Sequence, residues 1–381
     1  MVKGCRGMDD QFYMQLALDM ARKTKGQTSP NPCVGAVIVN DGRIVGIGTH
    51  LKAGEAHAEV QALNMAGELA KDSTVYVTLE PCSHHGKTPP CAERIIKEKV
   101  KRVVIATLDP NHLVSGRGIE LIQKAGIEVT VGVMEEEAKS LNENFNKYVT
   151  TRLPFITVKT AVTLDGKTAS YTGSSQWITG EKARNYVHRL RHEHDAIMVG
   201  IGTVLKDNPS LTVRTEQQGI NPVRVIIDTY LETPADANIV TDKKAPTWIF
   251  TTKHAMQAKI GELSQLGVNI IVTSGNATVP VKEVLNYLGE KYITSVLVEG
   301  GAKLTGTLLD EKLIDKYIAF IAPKIIGGKE APTSIGGEGI EKMSDAVPLS
   351  NVSVESFGND ICITGYPVWN HSPTGFPKHS E

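Results

Sequence analysis

Three short words constrain this chain more than anything else in it. They are His57-Ala58-Glu59, Pro81-Cys82 and Pro90-Cys91, with eight residues enclosed between the two cysteines. One imidazole and two thiolates form a zinc ligand set that leaves the fourth position open to water. A metal held in this way lowers the pKa of that water to about 7. Glu59, two residues past the histidine, is placed to take the water's proton and hand it on to a reacting group. Such a site needs a fold that brings a helix start and two loop cysteines together.

The general pattern of zinc-dependent nucleobase deaminases is H-x-E followed by P-C-x-x-C. The chain matches the first word and the Pro-Cys. It departs in the second word, because Ser83 to Pro90 stand between the cysteines. The bland reading is two buried cysteines and a surface histidine. The coincidence of three ligands with an acid–base group disfavours it. A purely structural zinc site would close its fourth position with a protein ligand and has no use for Glu59; His84 or His85 could supply such a ligand.

At 381 residues the chain is long enough for two domains. Its 41 basic and 42 acidic side chains nearly cancel, which gives no electrostatic footprint for nucleic acid or a membrane surface. A small phosphorylated substrate needs only a local basic pocket and stays allowed. The cysteines, Cys5, Cys33, Cys82, Cys91 and Cys362, are too few and odd in number for a disulfide framework. The N-terminus has no signal-peptide core, so a cytoplasmic location is expected.

Along the chain, Tyr13, Leu16, Ala17, Met20 and Ala21 repeat at helical spacing behind Asp9 and Asp10. Residues 34–39 and 43–48 read as a hairpin around Asn40-Asp41-Gly42. Helices are expected from Ala58 and from Cys91, each aiming its positive N-terminal end at the metal site. The strand 74–79 delivers Pro81-Cys82. Further β-α alternation leads to a charged helix over 135–147 and a boundary near residue 150. Domains are expected over 9–150 and 151–368, with 1–8 and 369–381 disordered. The second domain reads as α/β with a closing antiparallel hairpin, 352–357 and 361–366. Strand 296–298 runs through Glu299-Gly300-Gly301 into an apolar helix, a geometry that suits a phosphate-bearing cofactor. Gly327-Gly328 either closes the same crevice or is a plain turn.

The cysteine loop Pro81-Cys82-Ser83-His84-His85-Gly86-Lys87-Thr88-Pro89-Pro90-Cys91 resembles that of the bifunctional bacterial riboflavin-biosynthesis deaminase/reductases. The second half resembles their reductase domain in Lys159-Thr160-Ala161, Thr163-Leu164-Asp165-Gly166, Ser175-Gln176-Trp177-Ile178-Thr179, Asp207-Asn208-Pro209, Leu211-Thr212-Val213-Arg214 and Val298-Glu299-Gly300-Gly301. The resemblance covers about residues 9 to 367. It implies a cytidine-deaminase-like α/β/α domain followed by a dihydrofolate-reductase-like α/β domain. It also implies zinc and NADPH as cofactors and a homodimer or homotetramer. Two consecutive reactions on a phosphorylated pyrimidine are implied, a deamination and then a reduction of the ribosyl group.

On that resemblance His57, Cys82 and Cys91 are zinc ligands and Glu59 is the proton shuttle. Asn31, His50, His84 and Lys87 hold the deaminase substrate. Ser175, Arg191, Leu211, Arg214 and Glu299 surround the sugar phosphate in the reductase. Ala161, Trp177, Thr203, Asp207 and Thr229 line the NADPH site, with Gly301, Ala302, Lys303, Leu304, Thr305, Gly306 and Thr307 around its phosphates. Thr229 stands where the family pattern has serine. Lys159, Asp207 and Glu299 are the ionisable candidates for protonating the reduced oxygen, and Lys159 ranks first because a cation stabilises the developing alkoxide. Two other readings compete: a deaminase of free nucleosides or tRNA, and a zinc-stabilised scaffold without activity. Only 5% of residues are aromatic, which leaves little with which to hold a flipped base. A scaffold has no chemical need for Glu59.

Overall fold

The computed structural model describes residues 9–83, 89–111, 115–214 and 219–369. The chain divides into two compact units, Met1–Leu153 and Pro154–Glu381.

The first unit contains α1 (Asp10–Arg22), β1 (Gly35–Asn40), β2 (Arg43–Thr49), α2 (Ala58–Ala66), β3 (Thr74–Val77), α3 (Cys91–Lys97) and β4 (Arg102–Ile105). It continues with α4 (Arg117–Lys124), β5 (Glu128–Val131), α5 (Glu135–Leu141) and α6 (Glu143–Thr151). Asp9 caps α1 as its position suggested, its carboxylate accepting the Phe12 N–H at 3.0 Å. The strands form one sheet in the order β2-β1-β3-β4-β5, antiparallel up to β3 and parallel beyond it. Alternate residues feed opposite faces. Ala36, Ile38, Val75 and Val77 pack with Ala62 and Leu63 of α2 and Ala92 and Ile95 of α3. Val37, Val39 and Tyr76 pack with Met14, Ala17 and Leu18 of α1 and Ala138 and Leu141 of α5. The result is the α/β/α layering expected. Each fully buried aliphatic side chain here contributes about 1.5–3 kcal/mol.

The second unit contains β6 (Phe155–Thr163), α7 (Glu181–Glu193), β7 (Ala196–Gly200), α8 (Ile201–Asp207), β8 (Val223–Ile227), α9 (Asn238–Thr241), β9 (Thr247–Thr251) and α10 (Gln257–Gln265). It continues with β10 (Asn269–Val272), α11 (Val281–Glu290), β11 (Ser295–Val298), α12 (Ala302–Asp310), β12 (Lys316–Ala322), β13 (Leu349–Phe357) and β14 (Asp360–Pro367). Its sheet runs β10-β9-β8-β7-β11-β6-β12-β14-β13. The first seven strands in that order are parallel, and the closing hairpin is antiparallel, as expected. The chain steps outward from β7 to β10 and then returns to insert β11 between β7 and β6. That reversal is a topological switch point, and ligands bind at the carboxyl ends of the strands beside one.

Four sequence expectations are corrected in detail. The linking helix over 135–147 is two helices, broken at Asn142. Its side chain leaves the helical pattern to accept the Cys33 N–H at 2.8 Å and to donate to the Cys33 carbonyl at 2.9 Å. The first unit extends to Leu153, because α6 continues to Thr151 before Arg152 turns left-handed at φ 63°. Strand β12 was not distinguished in the sequence. Trp369, expected to be unstructured, donates its indole N–H to the Ile314 carbonyl at 3.1 Å. Residues 1–8 and 370–381 lie outside the described residues.

Candidate active sites

The first site assembles where α2, α3 and the end of β3 meet. His57 is the N-cap of α2, and Cys91 is the first residue of α3, capped by Pro90. A side chain at Gly48 would strike the Ala58 carbonyl, so β2 can lie against the start of α2 only as glycine. Glu80, buried directly before Pro81-Cys82, fixes the outgoing loop. Its carboxylate accepts the N–H groups of Gly116 at 2.9 Å, Gly118 at 3.0 Å and Asp109 at 3.3 Å. Sequence reasoning passed over Glu80, although it stands next to the cysteine word.

His57 Nδ1 lies 3.6 Å from Cys82 Sγ and 3.3 Å from Cys91 Sγ. Among the described residues these three donor atoms all lie within 4.8 Å of one another. A tetrahedral zinc with ordinary Zn–N and Zn–S bonds separates such atoms by about 3.6 Å. The donor set therefore fits the ion. The Cys91 N–H donates to Cys82 Sγ at 3.3 Å, so the start of α3 also favours a thiolate there. A hydrogen bond with Cys91 brings the Cys82 thiol down to about 4 and pushes Cys91 up; an ion between them takes both as thiolates.

Glu59 is 3% exposed, and its electrostatic neighbours are His57, Cys82 and Cys91. Burial raises its pKa. Asn31 and His50 join the same site. The Asn31 Nδ2 and His50 Nε2 atoms are 3.1 Å apart, and the His50 ring stands edge-on to His57 with centroids 5.5 Å apart. His84 and Lys87, expected to hold substrate, and His85, the other candidate fourth ligand, lie outside the described residues.

The second site lies at the carboxyl end of β11, beside the middle of β6. These strands are parallel neighbours, with Val158 opposite Val298, so Glu299, just past β11, lies beside Lys159 of β6. Lys159 Nζ is 3.5 Å from Glu299 Oε2. Arg191 of α7 grips the same carboxylate with two bonds, Nε to Oε1 at 2.6 Å and Nη2 to Oε2 at 3.0 Å. Its Nη1 donates to the Thr212 carbonyl at 3.0 Å. That carbonyl is presented by buried Leu211, a non-glycine residue held at φ 51°. Burial would raise Glu299, but Arg191 and then Lys159 outweigh it and hold the carboxyl at about 2. His188, one turn before Arg191, accepts the Arg214 N–H at 3.3 Å. Burial, with Arg191 and Arg214, lowers it to about 4. The stretch His188 to His194 reads in the sequence as a solvated face without the family resemblance; its spacing alone does not reveal this inward role.

The remaining residues are dispersed along the same edge. Ala161 packs beside the α7 core, and Ser175 is half-buried. Trp177 is 62% exposed, with the Arg184 guanidinium 4.8 Å from its ring and Lys324 Nζ donating to its carbonyl at 2.7 Å. Thr203 faces Gly301, the N-cap of α12, and side chains at Gly200 and Gly202 would enter open space. Asp207 ends α8 and is exposed, and Thr229 follows β8. Within α12, Gly301, Ala302 and Lys303 form the open end, Thr307 is half-buried, and Leu304, Thr305 and Gly306 face inward. Gly327-Gly328 is a turn held by Asp165, which accepts the Gly327 N–H at 2.7 Å.

Comparison with known proteins gives two domain matches. Residues 8–107 match the cytidine and deoxycytidylate deaminase zinc-binding region, and residues 154–363 match the RibD C-terminal domain. The riboflavin biosynthesis protein RibD of Bacillus amyloliquefaciens is 49% identical over 94% of this chain and 96% of its own. The chain belongs to the RibD family. The RibD protein of Escherichia coli is 41% identical over 93% of this chain and 99% of its own. A solved Acinetobacter baumannii RibD superposes with a TM-score of 0.85 at 39% identity, covering 94% of this chain and 99% of that one. A Thermotoga maritima structure described as a diaminohydroxyphosphoribosylaminopyrimidine deaminase/5-amino-6-(5-phosphoribosylamino)uracil reductase gives 0.84 at 39%, with the same coverage. As a RibD protein the chain is a bifunctional deaminase and reductase of riboflavin biosynthesis, and zinc and NADPH are its cofactors.

Proposed function

We propose that the region 9–150 deaminates 2,5-diamino-6-(5-phosphoribosylamino)pyrimidin-4-one at its C2 amino group. The region 151–368 then reduces the ribosyl group of the resulting uracil to ribityl with NADPH. The observation that carries this reading is the His57, Cys82 and Cys91 donor set with Glu59 buried against it. It occurs in a chain whose second half matches the RibD C-terminal domain.

When bound, zinc supplies Lewis acidity that makes water nucleophilic at neutral pH. Glu59 takes a proton from the attacking water and delivers it to a ring nitrogen; it then carries the second proton, from the added hydroxyl, to the departing amine, which leaves as ammonia as the C=O forms. Asn31 and His50 orient the pyrimidine. In the second reaction the ribose ring opens as its C1–O bond breaks, leaving C1 as an iminium carbon on the pyrimidine amine; NADPH, when bound, would supply the hydride that C1 accepts. Lys159, held in place by Glu299, stabilises the ring oxygen released as an alkoxide and protonates it. Arg191, Arg214 and Ser175 hold the sugar phosphate, and Glu299 keeps Arg191 in position. The zinc ligands and the open end of α12 are assigned to their cofactors by the same reading.

Among the described residues no helix is long and apolar enough to cross a membrane. This is consistent with the proposed cytoplasmic location. A homodimer or homotetramer is supported by a partly exposed sheet face, on which Val354 is exposed and Ala319 and Ile363 are half-buried. Ala319, Ile363 and Val354 lie in one row across β12, β14 and β13, while α7 packs on the opposite face.

Coupled turnover tests the reading. The purified chain is given the diaminopyrimidinone ribosyl phosphate with NADPH, and ammonia and NADPH are followed together. Ammonia release followed by NADPH loss is expected. Ammonia without NADPH loss removes the reductase assignment, and NADPH loss without ammonia removes the proposed order.

A further inference from the structure

NADPH differs from NADH by one phosphate, carried on the adenosine 2′ oxygen. In dinucleotide sites at the carboxyl edge of a parallel sheet, an acidic side chain at a strand end binds the free ribose hydroxyls of NADH. Asp228 stands at such a place, directly after β8. It is not available for that task. The residue is fully buried, and its carboxylate accepts the Glu232 N–H at 2.9 Å, the Thr233 N–H at 2.9 Å and the Thr233 hydroxyl at 2.7 Å.

The neighbouring strand β9 runs parallel, with Phe250 opposite Ile227, and its outgoing loop is tied to the first. The Thr229 carbonyl accepts the Thr252 hydroxyl at 2.8 Å, the Thr251 hydroxyl at 3.1 Å and the Thr252 N–H at 3.3 Å. Thr252 Oγ1 in turn accepts the His254 N–H at 3.3 Å. The polar groups beneath the edge are thus consumed internally. The exposed side chains of the two loops include Tyr230, Glu232, Lys253 and His254. The Tyr230 and His254 rings lie 6.5 Å apart, tilted by 47°. Lys253 forms no ion pair among the described residues.

We propose that Lys253, flanked by Tyr230 and His254, binds the 2′-phosphate of NADPH and sets the preference for it over NADH. The inference rests on the reductase reading above. The ammonium meets the phosphate as an unneutralised cation, and the tyrosine ring offers a face to the adenine. The buried Asp228 acts only by fixing the loop, so its own carboxylate is not offered to the NADH diol.

The test uses the full-length chain and its Lys253→Glu and Lys253→Gln variants. It measures kcat/KM for NADPH and for NADH with the uracil substrate. It also measures calorimetric binding of adenosine 2′,5′-bisphosphate against adenosine 5′-phosphate. Lys253→Glu is expected to lower kcat/KM for NADPH by about tenfold or more, mainly through KM, and to weaken the bisphosphate by a similar factor. NADH turnover and adenosine 5′-phosphate binding should stay within about twofold, since neither has the charge that Lys253 meets. The neutral Gln variant should fall between. If Lys253→Glu unfolds the second unit, the Gln variant decides by the same ratio. An unchanged NADPH-to-NADH ratio with unchanged bisphosphate affinity overturns the inference and leaves the reductase reading intact. A wild-type chain that oxidises neither cofactor and binds no bisphosphate overturns both.

Discussion

Each unit buries a glutamate in its candidate site, and the two carboxyls respond in opposite directions. Around Glu59 burial dominates and Cys82 adds to it, so the carboxyl is pushed up. Glu299 is less completely enclosed, with 10% of its side chain exposed; burial would raise it as well, but Arg191 and Lys159 prevail and hold it at about 2. Burial sets the cost of keeping a charge. The neighbouring counter-charges decide whether the charge is kept. A carboxyl whose charged form is not strongly favoured is suited to carrying a proton. One locked as an anion is suited to holding two cations in a fixed geometry.

The largest effect should come from removing the proton carrier. Glu59→Gln is expected to lower ammonia release by about 10²–10⁴-fold, the range for a general acid–base group. Bound zinc, measured by metal analysis, and NADPH oxidation with the uracil substrate should remain. Loss of the fold in this variant would make Glu59 structural and break the comparison at its first member. Lys159→Ala comes next. NADPH oxidation should fall by about 10²–10³-fold, as when one donor to a developing oxyanion is removed. Ammonia release should be untouched. Unchanged reduction would end the role given to Lys159.

The locked anion is probed by stability rather than rate. The folded value of Glu299 lies below its ordinary 4.5. Its contribution is therefore present above pH 4.5 and is lost as pH falls toward about 2. Across that window the second unit should lose about 3 kcal/mol. In Glu299→Gln this acid dependence should vanish. The variant should be destabilised at neutral pH by about 3–5 kcal/mol, because Arg191 and Lys159 are left buried without their anion. Denaturant unfolding at a series of pH values checks both statements. A variant that keeps the acid limb would show that another carboxylate carries it.

The same contrast explains what the sequence made legible. The metal ligands are read easily because zinc chemistry demands particular residue types, and His57 and Cys91 each sit at a helix start that local signals mark. Glu80 escaped notice because its partners, Gly116 and Gly118, become neighbours only in the folded sheet. In the second site Lys159, Arg191 and Glu299 come from β6, α7 and the end of β11. They converge only because β11 inserts beside β6, a topological fact that no local pattern records. The resemblance to the riboflavin-biosynthesis enzymes named these residues. Neither spacing nor resemblance indicated that two of the cations share one carboxylate. The break at Asn142 was hidden for a similar reason, since 135–147 is good helical sequence and its interruption comes from a partner 109 residues away.

That break offers the smallest test, and it asks whether a neutral clamp can do in the first unit what an ion pair does in the second. Asn142 is 4% exposed and satisfies both backbone groups of Cys33, two residues from Asn31. In Asn142→Ala the Cys33 N–H and carbonyl lose these partners in a buried setting, at about 1–3 kcal/mol. The expected result is a first unit less stable by that amount, with no change in its acid dependence, because no charge is removed. Asn31 is held through the same loop, so KM for the deamination should rise by a few fold, of the order of the ~1 kcal/mol tied to one neutral hydrogen bond, while kcat stays near wild type. A fall in kcat with unchanged KM would place the effect on Glu59 instead. It would mean that the neutral clamp supports the proton carrier as well as the loop beside the substrate.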